Sequence, residues 1–186
     1  MQNGKDGTQM KATGIVRRID ELGRVVIPKE IRRTQRIHSG DALEIFTDGK
    51  GEVVFKKYSP LAELGEPAAA YADVLARRLG CGVAVCDREK IVAAAGAGRS
   101  ELLGEPLPPE LDALLARRKL YTAPEEPLHR VALGRRWLLC AAPVLVHGDI
   151  EGGVLLPGMR RDAVPDPETI RAAATAAEFL ARWMGE

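Results

Sequence analysis

The stretch that decides the fold of the first part of the chain is GIVRRIDELGRVVIPKEIRR, residues 14–33. Its alternation of apolar and basic residues predicts a strand over 14–19 and a second strand over 24–27, joined by a turn in which Gly23 adopts a positive φ. Pro28 ends the second strand because it has no N–H to donate to a β-ladder. Proline also suits a first helical turn, so a short helix is expected from Lys29 to Gln35.

The sequence on the carboxyl side of this stretch predicts a β-hairpin. Residues 43–46 and 52–57 are rich in apolar and β-branched side chains and flank an Asp48-Gly49 turn. A segment of this size buries too little surface to be stable alone, and nothing in its sequence predicts a disulfide or a metal site to reinforce it. We therefore expect two copies to interleave their strands into one shared barrel, as an obligate dimer.

Basic residues are concentrated in this first segment. Residues 10–58 contain eleven Lys and Arg against seven Asp and Glu, whereas residues 59–186 contain fifteen against eighteen. This asymmetry predicts a polyanion-binding segment joined to a mildly acidic body. The candidate DNA-binding residues are Arg17, Arg18, Arg24, Lys29, Arg32 and Arg33. On the charge pattern alone, a merely solvated charged face remains an equal alternative.

The overall composition limits the class of protein. The chain has 186 residues, 46% of them hydrophobic and 28% charged, which is typical of a soluble globular protein. It contains no run of 18 apolar residues and no signal-peptide pattern, so neither a membrane-spanning nor a secreted protein is expected. Three cysteines argue against a disulfide framework and fit a reducing cytoplasm.

The remaining sequence predicts a second domain. Residues 1–9 are expected to be a disordered lead-in and residues 10–58 the basic domain. Residues 59–80 are expected to form a linking helix, capped by Ser59, kinked or restarted near Pro67 and stopped by Gly80. Residues 81–186 alternate strands with helices and end in a long amphipathic helix, which indicates an α+β sandwich.

Enzymatic and metal chemistry has weak support in the second domain. Cys81, Cys86, Cys140, His129 and His147 lack the tight paired spacing of a zinc site, so no metal and no cofactor are predicted. A thiol enzyme would need an accessible cysteine of low pKa, and these cysteines lie within or beside apolar strands. We expect no catalytic residue.

The sequence of residues 10–58 resembles the DNA-binding domain of AbrB-type transition-state regulators. The similarity rests on LGRVVIP at residues 22–28, with GDALEIF at residues 40–46 and EVVFKKY at residues 52–58. Two further stretches, KYSPLAELG at 57–65 and TAAEFLAR at 175–182, are similar to the stage V sporulation protein T family.

This resemblance implies a fold and a function. It implies an N-terminal swapped-hairpin β-barrel dimer followed by a C-terminal GAF-like α/β sandwich, an overall α+β protein. Arg17, Arg24, Arg32 and Arg33 match the family's DNA-contacting arginines, and the position of Arg18 is basic in many relatives. A homotetramer formed partly through the C-terminal domains is implied, as is a cytoplasmic regulator that activates some forespore genes and represses others.

Three points stay open at this stage. An effector for the C-terminal domain is expected only as an unknown small molecule. An antitoxin with the same DNA-binding domain is one alternative, although an antitoxin would carry a short tail rather than a folded body. A GAF-fold thiol enzyme such as a methionine sulfoxide reductase is the other.

Overall fold

The computed structural model describes residues 12–123 and 130–185. The chain divides between Lys57 and Tyr58 into two compact units, which we call the first unit and the second unit. The predicted lead-in over residues 1–9 lies outside the described residues. No helix in the described part of the chain has the length and apolar character needed to cross a bilayer.

The first unit contains one short helix and one hairpin. Its elements are α1 (Lys29–Thr34), β1 (Leu43–Thr47) and β2 (Val53–Lys57). The strands pair antiparallel, with Leu43 opposite Lys57. In the turn between them, the Asp48 Oδ1 atom accepts hydrogen bonds from the backbone N–H groups of Lys50 (3.0 Å) and Glu52 (2.7 Å). The predicted helix and hairpin are confirmed.

The two predicted strands over 14–19 and 24–27 are wrong for the single chain. Within the described part of this stretch, residues 12–27, no strand is formed. A strand needs a neighbour to satisfy its backbone groups, and the described residues of one chain supply none here. The predicted turn is present: the Gly23 φ is +74°, and its N–H donates to the Asp20 carbonyl at 2.9 Å.

The second unit is built around an antiparallel sheet. Its elements are α2 (Pro60–Glu63), α3 (Gly65–Leu79), β3 (Val83–Cys86), β4 (Ile91–Ala95), α4 (Arg99–Leu102), α5 (Pro109–Leu115), β5 (Tyr121–Thr122), β6 (Ala132–Leu133), β7 (Arg136–Val146), β8 (Asp149–Gly158) and α6 (Pro167–Gly185). The strand order is β4-β3-β8-β7-β5, and β6 also pairs with β7. The sequence did not predict the short α4 and β5.

Helices cover both faces of this sheet, so the unit has three layers. On one face, α2, α3 and α6 pack through small residues such as Ala72 and Ala176 against Val85 and Val154. On the other face, leucines of α4, α5 and the loop between them, including Leu107 and Leu111, pack against Leu155 and other sheet residues. The α+β class is confirmed, with the core divided between the two faces.

The segment over 59–80, predicted as a linking helix, is two helices packed on this sheet. Ser59 caps α2 by accepting the Ala62 N–H at 3.2 Å. The break falls at Leu64, and Pro67 lies in the first turn of α3, where a missing N–H costs no hydrogen bond. Gly80 ends α3 with φ +65°, as predicted.

Candidate nucleic-acid interface

The six predicted DNA-binding residues all have exposed side chains in the first unit. They are Arg17, Arg18, Arg24, Lys29, Arg32 and Arg33. An exposed guanidinium or ammonium group is free to contact phosphate oxygens, which a buried one is not. The exposure of each residue is consistent with its predicted contact to DNA. The local structure is not the same around all six residues.

Helix α1 brings three of the six basic residues together. Lys29 begins the helix, and Arg32 and Arg33 stand in its last turn. Residues three and four positions apart are neighbours on a helix surface, so all three share one side of α1. The two arginines also lie near the negative end of the helix dipole, which stabilises their charge at that position.

Arg24 is held by an acidic residue that sequence reasoning did not single out. The Arg24 Nε atom donates to the Asp20 Oδ2 atom at 2.8 Å, and the Arg24 backbone N–H donates to Asp20 Oδ1 at 2.8 Å. These backbone and side-chain hydrogen bonds lower the pKa of the Asp20 carboxyl. The carboxylate therefore stays ionised and restrains a guanidinium whose side chain remains 70% exposed. An aspartate four residues before an arginine, across a glycine turn, was the available sequence signal.

Arg17 and Arg18 lie in the stretch that forms no strand. The Arg17 Nη1 atom donates a long hydrogen bond of 3.4 Å to the Val16 carbonyl. In an extended backbone, successive side chains point to opposite faces, so only one of the two arginines need face outward with Arg24. Their arrangement depends on what pairs with this stretch.

Apolar side chains interleave with these basic residues and are unusually exposed. Val16 is 84% exposed, Leu22 75%, Val26 71% and Ile19 68%. Scattered exposed apolar residues are ordinary, but a cluster of this kind within one short segment marks a surface that another molecule covers. The candidate interface is therefore cationic and apolar at the same time.

The second unit contains the cysteines and histidines that the sequence offered as ligands or nucleophiles. Among the described residues, no group of three or more His, Cys, Asp or Glu side chains could hold a metal ion. His129, considered as a ligand, lies outside the described residues. Burial raises the pKa of the Cys140 thiol to about 12. Burial, with the Asp87 charge adding to it, raises the pKa of Cys86 further still.

We predict that Cys86 and Cys140 resist alkylation in the native protein. With a pKa of about 12, only about one Cys140 thiol in ten thousand is ionised at pH 8, and the thiolate is the nucleophile. Iodoacetamide at pH 8, followed by peptide mass spectrometry, should modify both cysteines only after denaturation. Half-buried Cys81, whose pKa is also raised by burial, should react before them. Rapid native modification of Cys86 or Cys140 would indicate a reactive thiol and favour the enzyme alternative.

A shallow groove lies at the carboxyl end of α6 in the second unit. It is lined by Leu145, Val146, His147, Ala181, Arg182 and Gly185. Its open form gives little enclosure for a small molecule, and the two faces of the sheet are covered by the unit's own side chains. The effector site stays unassigned.

The fold and the candidate interface define a class of protein: one in which a small unit with exposed basic residues precedes an α+β unit. Residues 63–185 match the family described as stage V sporulation protein T C-terminal, transcription factor. Residues 16–62 match the family described as antidote-toxin recognition MazE, bacterial antitoxin. The chain belongs to the stage V sporulation protein T family of transcription factors.

The chain is similar to three proteins of known sequence or structure. Stage V sporulation protein T of Bacillus subtilis (strain 168) is 42% identical over 186 residues, covering 94% of this chain and 99% of the relative. The solution structure of the N-domain of the transcription factor AbrB is 61% identical, covers 27% of this chain and 96% of that one, and has a TM-score of 0.25. The cofactor-binding GAF domain of the nutrient sensor CodY from Clostridium difficile is 13% identical, covers 61% of this chain and 81% of that one, and has a TM-score of 0.44.

These matches bear on the alternatives left open by the sequence. The antitoxin match is confined to residues 16–62, whereas the transcription-factor match covers most of the second unit. The predicted family is confirmed, and neither the antitoxin nor the thiol enzyme is favoured. The predicted roles of the individual basic residues stay predictions.

Proposed function

We propose that this protein regulates the transcription of sporulation genes by binding double-stranded DNA through a dimer of its first unit. The observation that carries the proposal is the combination, in one short unit, of six exposed basic residues and a cluster of exposed apolar ones. The apolar cluster is not explained by a monomer, since a stable monomer would bury most of these side chains.

The dimer is supported by what the single chain leaves unpaired. Residues 24–27 contain three consecutive β-branched apolar residues, a pattern typical of a strand buried on both faces. Among the residues that the structure describes, this stretch has no partner strand, and Val26 is 71% exposed. Pairing with the same stretch of a second copy satisfies the backbone and buries the apolar surface in a single step. This is the intertwined dimer that the family resemblance implies.

The DNA contact follows from doubling the basic residues. Two copies of α1 present six cations, and two copies of Arg24 add two more. Arginine forms bidentate hydrogen bonds to phosphates and to guanine edges. The proposed contact residues are Arg17, Arg18, Arg24, Lys29, Arg32 and Arg33. Because α1 is too short to serve as a long recognition helix, part of the specificity would come from DNA shape and flexibility.

The second unit has a surface suited to further assembly. The Tyr71 ring stacks on Phe179 with centroids 4.7 Å apart, and Trp183 meets Phe179 edge-on at 5.4 Å. Trp183 is 51% exposed and nearby Val74 on α3 is 55% exposed. This aromatic surface on α3 and α6 supports the homotetramer that the resemblance implies. Such a tetramer would contain two dimers of the first unit, and we call each of these dimers a head.

The mechanism would be equilibrium binding without catalysis, in the cytoplasm. The raised pKa values of Cys86 and Cys140 support the absence of thiol catalysis, because a protonated thiol is a poor nucleophile. Activation of some genes and repression of others would depend on where the protein binds relative to a promoter.

The salt dependence of DNA binding tests the proposal. If each dimeric head neutralises about four to eight phosphates, log K for its binding should fall with log salt at a slope of about −4 to −7. The measurement is a fluorescence-anisotropy titration with a duplex selected from a random pool by the full chain. A slope near zero, or no binding at low salt, would contradict the proposed DNA-binding function.

A further inference from the structure

The connection between the DNA-binding unit and the second unit is very short. Strand β2 ends at Lys57 and helix α2 begins at Pro60, so Tyr58 and Ser59 alone stand between them. A connection of two residues offers little slack compared with a flexible linker. A restraint on Ser59 therefore acts directly on the chain that leaves the DNA-binding unit.

The Ser59 hydroxyl makes two hydrogen bonds, and one of them is not needed for the helix. Its oxygen accepts the Ala62 N–H at 3.2 Å, which is an ordinary N-cap. The same hydroxyl donates to the Asp87 Oδ2 atom at 3.0 Å. This second bond joins the start of α2 to the β3–β4 turn, 28 residues further along the chain.

Asp87 is a rigid acceptor for this bond. Its side chain is buried, and its Oδ1 atom accepts the backbone N–H groups of Glu89 at 2.7 Å and Lys90 at 2.8 Å. The turn thus holds one carboxylate oxygen and leaves the other aimed at Ser59. Removing a hydrogen-bond donor from a buried carboxylate costs free energy, because the carboxylate is left without a partner in place of water. The Ser59–Asp87 hydrogen bond is therefore stable.

Close packing holds the same segment from the other side. Leu61 is fully buried, and Gly152 of β8 faces it. A Cβ at Gly152 would lie 2.6 Å from the Leu61 Cδ1 atom and 2.9 Å from the Asp87 Cα atom. The glycine lets β8 approach both Leu61 and Asp87 closely. Leu61 is therefore held by packing and Ser59 by its hydrogen bond to Asp87, and together these contacts fix the start of α2 on the sheet.

We infer that Ser59 and Asp87 are positioning residues: their hydrogen bond restrains the chain leaving the DNA-binding unit, and this restraint favours simultaneous binding of two heads to one DNA. The inference rests on the proposed function. Two linked heads bind a double site more tightly than one head does, and the gain is larger when their freedom is already limited. Loss of the restraint should weaken two-head binding and leave one-head binding unchanged.

A matched pair of substitutions in the full chain tests this inference. Asparagine and aspartate both cap helices and have nearly the same shape. Ser59→Asn keeps a donor for Asp87, whereas Ser59→Asp removes the donor and places a second carboxylate beside a buried one. Dissociation constants are measured for duplexes that carry one or two copies of the sequence selected by the wild-type chain.

We expect Ser59→Asp to bind the two-copy duplex about tenfold more weakly than Ser59→Asn, and the one-copy duplex equally well. Adding Asp87→Asn to Ser59→Asp should restore the two-copy affinity, because the repulsion is relieved. Amide hydrogen exchange of residues 62–64 should be faster in Ser59→Asp than in the wild-type chain, and the double variant should regain the wild-type rate.

Two results would overturn the inference: equal affinities of both variants for both duplexes, or an equal loss on both. If Ser59→Asp fails to fold, Ser59→Ala is compared with Ser59→Thr, which keeps the hydroxyl. Ser59→Ala must then bind the two-copy duplex more weakly than Ser59→Thr does, and the one-copy duplex equally well. Failure of the wild-type chain to bind either duplex would instead contradict the proposed function, and this inference with it.

Discussion

Replacing Val26 by aspartate is expected to halve the mass of the assembled full chain and to abolish its DNA binding. Val26 is 71% exposed in the single chain and belongs to the apolar run over 25–27 that the proposed dimer buries. Burying one valine contributes about 2 kcal/mol, and a buried unpaired carboxylate costs more than the valine contributed. With two copies per dimer, the loss is about 5 kcal/mol or more, which weakens dimerisation by at least about a thousandfold.

Sedimentation equilibrium and fluorescence anisotropy measure the two effects on the same sample. The mass should fall from a tetramer to a dimer, because the aromatic surface on α3 and α6 is untouched. Val164→Asp is the matched control, since it introduces the same change at a 55% exposed valine of the second unit. A Val26→Asp protein with wild-type mass and wild-type affinity for DNA would refute the intertwined dimer.

Replacing Arg24 by alanine should weaken DNA binding about a hundredfold without dissociating the dimer. Each dimeric head loses two guanidinium groups, and a direct arginine contact to DNA contributes about 1–3 kcal/mol. The turn should survive, because the backbone N–H of residue 24 still donates to Asp20 Oδ1 and the lost side chain is 70% exposed. If both groups contact phosphate, the salt slope of log K should become less negative by about 2 per head.

Two control variants separate the DNA contact from a general effect of charge. Arg24→Lys keeps the cation but not the bidentate geometry, so its loss should be intermediate. Arg135→Ala removes an exposed arginine from the second unit and should leave DNA binding unchanged. An Arg24→Ala dimer that binds DNA as well as the wild-type chain does would remove Arg24 from the interface.

Local sequence chemistry predicted much of the fold. The Asp48-Gly49 hairpin, the helix after Pro28, the Ser59 cap and the Gly80 stop were each predicted correctly, because each depends on a few neighbouring residues. The long amphipathic helix that closes the second unit was also predicted correctly, since its periodic pattern needs no distant information.

The two strands predicted over 14–19 and 24–27 show where local reasoning fails. Their composition is that of strands, but a strand exists only when another segment accepts its hydrogen bonds. The break at Leu64 rather than at Pro67 has a related cause. Proline is tolerated in a first helical turn, and the packing of Leu61 and Ala68 against the sheet decides where that turn begins.

By itself, the sequence determined the charge difference between its two parts, the α+β class and the family. These follow from composition, periodicity and short motifs, which are properties of neighbouring residues. The tertiary structure alone decided that Asp20 restrains Arg24 and that Ser59 is held by Asp87. The Ser59–Asp87 contact depends on segments far apart in the chain. The Asp20 contact is local, but it needs a turn geometry that no sequence pattern specifies uniquely.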